Sequence, residues 1–185
     1  MSSWRVKGLE RMSAAGDEQI RTQMVALLPR LHRFALMLSG SRADADDLVQ
    51  ATCERAITRL DSWMPGTALD RWLFKVAHNL HRNLRRDQAN RLRLVQAHGE
   101  TQEFLEDGER RAEAWTELQE VRLRVLALPD EQRVALTLVA IEGMSYQEAA
   151  ELLDVPVGTV TSRLARARDA LRRLAPQVRH AVEAV

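Results

Sequence analysis

The strongest constraint on this chain is an apolar repeat that fits helices and nothing else. Near its C-terminal end Val157, Val160, Leu164, Ala167, Leu171 and Leu174 follow one another at alternating steps of three and four. At 3.6 residues per turn these six side chains share one face. Leu31, Phe34, Ala35 and Leu38 make the same stripe earlier, and Leu48, Ala51, Ala56, Ile57 and Leu60 continue it. Trp72, Leu73, Val76, Leu80 and Leu84 mark a further apolar side. The two-residue alternation of β-branched and aromatic residues expected of strands is absent. The expected fold class is therefore all-α. Aromatic residues are only 4% of the sequence, so the core must be built from Leu, Val, Ala and Met.

Breakers and caps divide the chain. Residues 1–16 have no periodicity and read as a disordered tail. Asp17 is placed to cap a helix through Leu28, with Pro29 tolerated in the first turn of a second helix ending at Ser39-Gly40-Ser41. A helix over 43–60 follows, then a turn-rich loop over 61–67, then a long helix to about Arg91. Residues 94–110 lack a period and read as a linker. Beyond it come a helix over 111–127, one capped by Asp130 and closed by Gly143, a short one capped by Ser145, and a last one over 157–175 stopped by Pro176. Residues 177–185 read as a fraying tail. The expected organisation is two small helical domains, 17–93 and 111–176, joined by a flexible acidic linker.

The formal net charge of +1 conceals a segregated pattern. Between Arg71 and Arg93 seven basic residues face only Asp87. Between Gln96 and Glu120 eight acidic residues face only Arg110 and Arg111. From Pro156 onward six arginines face Asp169 and Glu183. Basic, acidic, basic is the arrangement of two nucleic-acid-contacting modules with an acidic tether. All basic residues but Lys7 and Lys75 are arginine, which forks onto phosphate and guanine edges; codon bias from a GC-rich genome also explains that preference.

Helix-turn-helix spacing spans Ser145 to Leu164. Ala149 and Ala150 are small enough to let two helices approach. Asp154 occupies a turn position where Gly is usual, and Asp tolerates the left-handed conformation better than most residues. The final helix carries Thr159, Ser162, Arg163 and Arg166 on one polar flank and Thr161, Arg168 and Arg172 on the other. Short hydroxyls near the N-terminus followed by arginines suit a helix that enters the major groove; the other reading is an αα-hairpin with a solvated arginine face. In the first basic block, His78, Asn79, Arg82, Asn83, Arg85 and Arg86, with Trp63 or Trp72 nearby, have the chemistry to hold unstacked bases and single-strand backbone. Taken alone, that block also fits a solvated amphipathic surface.

Catalysis finds no support. The chain lacks a phosphate-binding glycine loop, and no Ser/His/Asp set can be located. His78 and His81 stand three apart and could share a metal, but such histidines among arginines are more often DNA-facing or solvated. No catalytic, cofactor-binding or metal-binding residues are expected. The single Cys53 excludes an internal disulfide framework and suits a reducing compartment, where a small core residue is its ordinary role. No apolar run reaches the ~18 residues of a bilayer span, and the N-terminus lacks the apolar stretch of a signal peptide, so no membrane insertion and a cytoplasmic location are expected.

Three segments carry a resemblance. Asp44-Ala45-Asp46-Asp47-Leu48-Val49-Gln50 resembles the start of the clamp-binding helix of bacterial sigma factors. The segment from Arg71 through Trp72 and Leu73 to Asn79 resembles the lead into their −10-reading helix. Leu128-Pro129-Asp130-Glu131-Gln132-Arg133 with the helix-turn-helix is similar to their −35-reading domain. Two domains without a third between them resemble the extracytoplasmic-function (ECF) group of the sigma-70 family, over about residues 20–174. The last segments look most like proteobacterial members, including the general-stress group. Ala51-Thr52-Cys53 departs from a common Glu-Thr-aliphatic run, as Asp154 does from Gly.

The resemblance implies a region 2-like bundle and a region 4-like domain, with no enzyme activity. It implies partners: core RNA polymerase through its β′ clamp helices and β flap, promoter DNA, and a separate anti-sigma factor. It places polymerase docking on Asp46, Asp47, Leu48, Val49 and Gln50. It places −10 recognition on Trp63, Asn79, Arg82, Asn83, Arg85 and Arg86, and −35 reading on Thr159, Thr161, Ser162, Arg163 and Arg166. The competing expectation is a conventional helix-turn-helix regulator that dimerises on a palindrome and never joins polymerase.

Overall fold

The computed structural model describes residues 14–63, 67–97 and 117–183. Among these residues every regular element is helical: α1 (Ala14–Ser39), α2 (Arg42–Thr58), a 3₁₀ turn (Leu60–Ser62), α3 (Leu69–Ala97), α4 (Glu117–Leu126), α5 (Asp130–Leu136), α6 (Tyr146–Leu153) and α7 (Val157–Glu183). A π-helical turn, Thr137–Ile141, extends α5. Of the tail expected over 1–16, residues 14–16 open α1, and of the linker expected over 94–110, residues 94–97 end α3; the rest of both lies outside the described residues.

Several boundaries differ from the sequence reading. The expected break at Pro29 does not occur; α1 runs through it. Proline there deprives the Val25 carbonyl of its helical donor, but Val25 is 64% exposed, so water can take the donor's place. The helix expected to stop at Pro176 continues through it to Glu183. Asp130 is the first residue of α5 rather than its cap; Pro129 holds the cap position, with no side-chain cap bond. Elsewhere local chemistry decides as expected. Ser41 Oγ accepts from the Asp44 amide and opens α2. Ser145 and Glu148 form a reciprocal capping box at α6. Asp154 ends α6 in the left-handed region at φ 56° and ψ 49°. Gly40 (φ +82°) and Gly143 (φ +74°) close the helices before them.

The decisive feature is a core common to both ends of the chain. Leu31, Phe34, Leu38, Leu48, Phe74 and Ala77 from the first half pack in one buried cluster with Val134, Leu138, Leu153, Val160 and Leu164 from the second. Phe34 and Phe74 meet with ring centroids 4.9 Å apart. The two halves are thus packed face to face, not merely tethered. A smaller cluster of Met24, Ala56, Leu69 and Leu73 supports Trp63 and Trp72.

Polar groups complete the joint. The Arg133 guanidinium, 9% exposed, donates to Leu38 O (2.9 Å) at the end of α1 and to Leu126 O (2.9 Å) and Leu128 O (3.1 Å) after α4. A cation at two helix C-termini satisfies carbonyls that no helix amide reaches. Arg30 bridges Asp70 (3.0 Å) and Glu142 (3.1 Å), and Arg71 reaches Glu148 (3.1 Å). Arg122 donates to Gly40 O.

Some stripe residues expected in the core lie outside it. Ile57 is 52% exposed, Leu84 53% and Val157 36%. On α2 and α3 the polar Thr52 and His81 are buried instead. Thr52 satisfies its hydroxyl by donating to Leu48 O at 2.7 Å. Cys53 is half-buried against the shared core, where burial and neighbouring Glu54 push its thiol pKa up.

Candidate nucleic-acid and polymerase interface

The segment expected to dock on polymerase sits in the first turns of α2. Asp46, Asp47 and Gln50 are exposed, whereas Leu48 is 2% exposed and belongs to the core, with Val49 half-buried beside it. Leu48 therefore sets how α2 sits rather than offering a surface. Asp46 Oδ1 lies 2.8 Å from His32 Nε2, and Gln50 donates to Glu54 Oε1 at 3.0 Å.

On α3 the expected −10 residues divide between two faces. Asn79, Arg82, Asn83 and Arg86 are exposed at i, i+3, i+4 and i+7, the spacing of one helix face. Arg85 is turned toward the second half, where its Nε donates to Asp130 Oδ2 at 3.1 Å. Trp63 stands away from α3's polar face: it is half-buried against the Met24–Leu73 cluster, and its indole Nε1 is buried without a hydrogen-bond partner.

His78 is half-buried and His81 buried, rather than fully solvated as expected. They point from α3 into the joint, where a cavity of about 270 Å³ is also lined by Arg82, Arg85, Asp130, Glu131 and Arg163. His78 Nδ1 and His81 Nε2 are buried there without hydrogen-bond partners. Burial, reinforced by Arg82, His81 and Arg163, pulls the His78 pKa down to about 4. Burial also lowers that of His81, against the pull of Asp130. No cluster of three or more metal-binding side chains occurs among the described residues.

The helix-turn-helix presents α7 beside α6. Ala149, Val160, Leu164 and Ala167 are buried between helices. Thr161 and Arg166 are exposed, and Thr159 and Ser162 are half-buried. Thr161 donates back to Val157 O, and Ser162 to Thr159 O. Gly158 has open space where a side chain would stand, so the first turn can approach another surface closely. Arg168 donates to the Tyr146 hydroxyl. Arg163 departs from the flank assigned to it: its side chain is 15% exposed and pairs with Glu131 Oε2 at 2.8 Å. Sequence reasoning missed the joint itself, with Arg30, Arg71, Glu142 and the Asp130–Glu131 pair. No local signal marks residues that meet across tens of positions.

The comparisons with known proteins agree with this architecture. Residues 118–171 match the family model "Sigma-70, region 4", and residues 24–78 match "Sigma2 domain of PhyR". The ECF RNA polymerase sigma factor EcfG of Rhodopseudomonas palustris is 40% identical over 158 residues, 85% of each chain. The ECF sigma-E factor of Escherichia coli is 32% identical over 80% of this chain and 84% of its own. Among solved structures, the Bartonella quintana sigma factor RpoE in complex with the anti-sigma factor NepR superposes with a TM-score of 0.74. It is 28% identical and covers 86% of this chain and 98% of its own. CnrH in complex with the cytosolic domain of CnrY gives a TM-score of 0.60 at 28% identity, covering 89% and 90%. With both sigma modules matched in order and curated relatives spanning most of its length, the chain belongs to the ECF group of RNA polymerase sigma factors, alternative sigma factors that direct promoter-specific transcription.

Proposed function

We propose that promoter recognition is divided between two exposed polar faces of this chain. Asn79, Arg82, Asn83 and Arg86 on α3, with Trp63 and Arg85, take the −10 element, where stacking and pocket contacts offset the cost of melting. Thr159, Thr161, Ser162, Arg163 and Arg166 on α7 take the −35 duplex, phosphate contacts setting register and side chains reading base edges. Asp46, Asp47 and Gln50, positioned by Leu48 and Val49, dock on the β′ clamp helices, and the 111–176 module meets the β flap. Residues 17–93 and 111–176 act as separate modules once polymerase is bound, which raises the effective concentration of each at the promoter.

The observation that carries this reading is the run of exposed Asn and Arg on one face of α3, paired with a helix-turn-helix whose outer face is equally polar. An enzyme would not need either. The chain works in the cytoplasm without catalysis of its own, and no helix among the described residues is long and apolar enough to cross a membrane. A separate anti-sigma protein covers its polymerase-docking surfaces in this reading; the complex of its structural neighbour RpoE with the anti-sigma factor NepR supports the existence of such a partner. Run-off transcription on fragmented genomic DNA tests the reading. With core polymerase the chain is expected to give discrete promoter-specific transcripts. Dimeric DNA binding without transcription would instead support a conventional regulator.

A further inference from the structure

Two imidazoles of α3 are buried without the hydrogen bonds their nitrogens need. His81 is 8% exposed, and its Nε2 has no partner. His78 Nδ1, one turn earlier, is buried and equally unpartnered. Such atoms are costly, and native folds supply a partner from protein, water or a bound ion. Both rings line the cavity of about 270 Å³, and no side chain around it completes them.

The rest of the lining specifies the missing group. Arg82, Arg85 and Arg163 share the cavity with Asp130 and Glu131, three guanidiniums against two carboxylates. The carboxylates are already engaged. Asp130 Oδ2 accepts from Arg85 Nε at 3.1 Å, Asp130 Oδ1 pairs with Arg133, and Glu131 Oε2 lies 2.8 Å from Arg163 Nη2. Each guanidinium carries five N–H donors, so these pairs leave donors over on Arg85 and Arg163. Arg82 makes no ion pair among the described residues, and its exposed position gives a ligand a way in. A cation here would be repelled by the guanidiniums, whereas an acceptor-rich anion would meet donors on several sides. A neutral imidazole places its N–H on either ring nitrogen, so His78 Nδ1 and His81 Nε2 are both available as donors. The volume admits a tetrahedral oxyanion with a few carbons attached and excludes a nucleic-acid strand.

We propose that this cavity is a binding site for a small phosphate-class oxyanion, either free phosphate or the terminal group of a phosphate monoester. His78, His81 and Arg82 supply the donors from α3, with Arg85 beside them and Arg163 opposite on α7. Arginine forks match pairs of phosphate oxygens, and the two imidazoles complete the ring of donors. Burial, and then the neighbouring cations, keep His78 neutral in the empty cavity; the anion's charge offsets those cations. The site is independent of the promoter-reading assignment, because its ligand is a small ion rather than DNA.

Isothermal titration of the full chain with inorganic phosphate, in chloride buffer at neutral pH and fixed ionic strength, tests the site. One saturable site per chain is expected, with a Kd of about 1 mM or tighter. Glycerol 3-phosphate, titrated in the same way, separates the two sources. Binding of phosphate alone assigns a free ion, and binding of both assigns monoesters as well. His81→Phe keeps the bulk of the ring, removes its nitrogens and is expected to weaken phosphate about tenfold. Should that variant unfold, Arg82→Gln alters only an exposed side chain and is expected to weaken phosphate about fivefold. Arg33→Gln removes the same charge from an exposed site on α1 that does not line the cavity, and is expected to stay within about twofold. Absence of saturable binding up to about 20 mM phosphate means that water alone fills the cavity, and overturns the proposal. Losses in His81→Phe and Arg82→Gln no larger than in Arg33→Gln also overturn it, because general surface charge would then be holding the ion.

Discussion

Acid should loosen this protein through one side chain. His78 sits in the joint with its Nδ1 unpartnered, faces Arg163 across the cavity, and has Arg82 and His81 beside it on α3. Its packed-state pKa is about 4, against 6.5 when it is free in water. Above pH 6.5 the imidazole is neutral in both states and costs nothing. Below 6.5 the open or unfolded chain takes up a proton that the packed chain refuses, so stability falls with acid until about pH 4 and then levels off. At pH 5 the free imidazole is almost wholly charged and the packed one almost wholly neutral. With about 1.36 kcal/mol for each tenfold difference in proton affinity, the loss from His78 alone is about 2 kcal/mol. His81, also held neutral by burial, adds in the same direction. Urea unfolding at pH 7 and pH 5 measures the effect, with His78→Gln as the comparison. The parent is expected to lose about 2 kcal/mol more than the variant between the two pH values. Equal losses would refute the reasoning, because His78 would then be hydrated or already partnered.

Other perturbations test the remaining load-carrying contacts. Arg133→Met leaves the Leu38, Leu126 and Leu128 carbonyls without their donor and should cost about 3 kcal/mol in chemical denaturation. Asp154→Val puts a β-branched residue at φ 56° and should lower stability by about 1–2 kcal/mol, while Asp154→Gly should be neutral or slightly stabilising by the same measurement. Ser145→Ala removes the α6 cap and should cost about 1 kcal/mol in thermal melts. Arg166→Ala should weaken −35-dependent transcription by about 1–3 kcal/mol, whereas an unchanged promoter profile would return Arg166 to a solvated face.

Much of this protein was legible along the chain because local rules decide it. The 3.6-residue stripes identify the helices. The Ser145 cap and the turn residue Asp154 place the helix-turn-helix within a residue. The clusters of Arg and Asn point to nucleic acid from composition and spacing alone. Local rules misled where tertiary surroundings could override them. Water at exposed Val25 lets α1 pass through Pro29, and Leu84, seven residues after Ala77 on the same face of α3, is exposed along with every residue from Arg82 to Arg91. Which arginines are free to meet DNA lay beyond sequence reasoning altogether. Arg85 and Arg86 are chemically identical neighbours, yet only Arg85 meets Asp130, 45 residues away. Arg163 and Arg166 share a helix flank, yet only Arg163 is covered. The sequence by itself determined that the chain is helical, two-headed and built to hold nucleic acid, since periodicity, caps and charge are local properties. Only the tertiary structure decided that the two heads share one core and that histidines and arginines face each other in its joint. Those outcomes depend on which helix faces meet at long range, and a 100° turn per residue lets adjacent, identical side chains end in opposite environments.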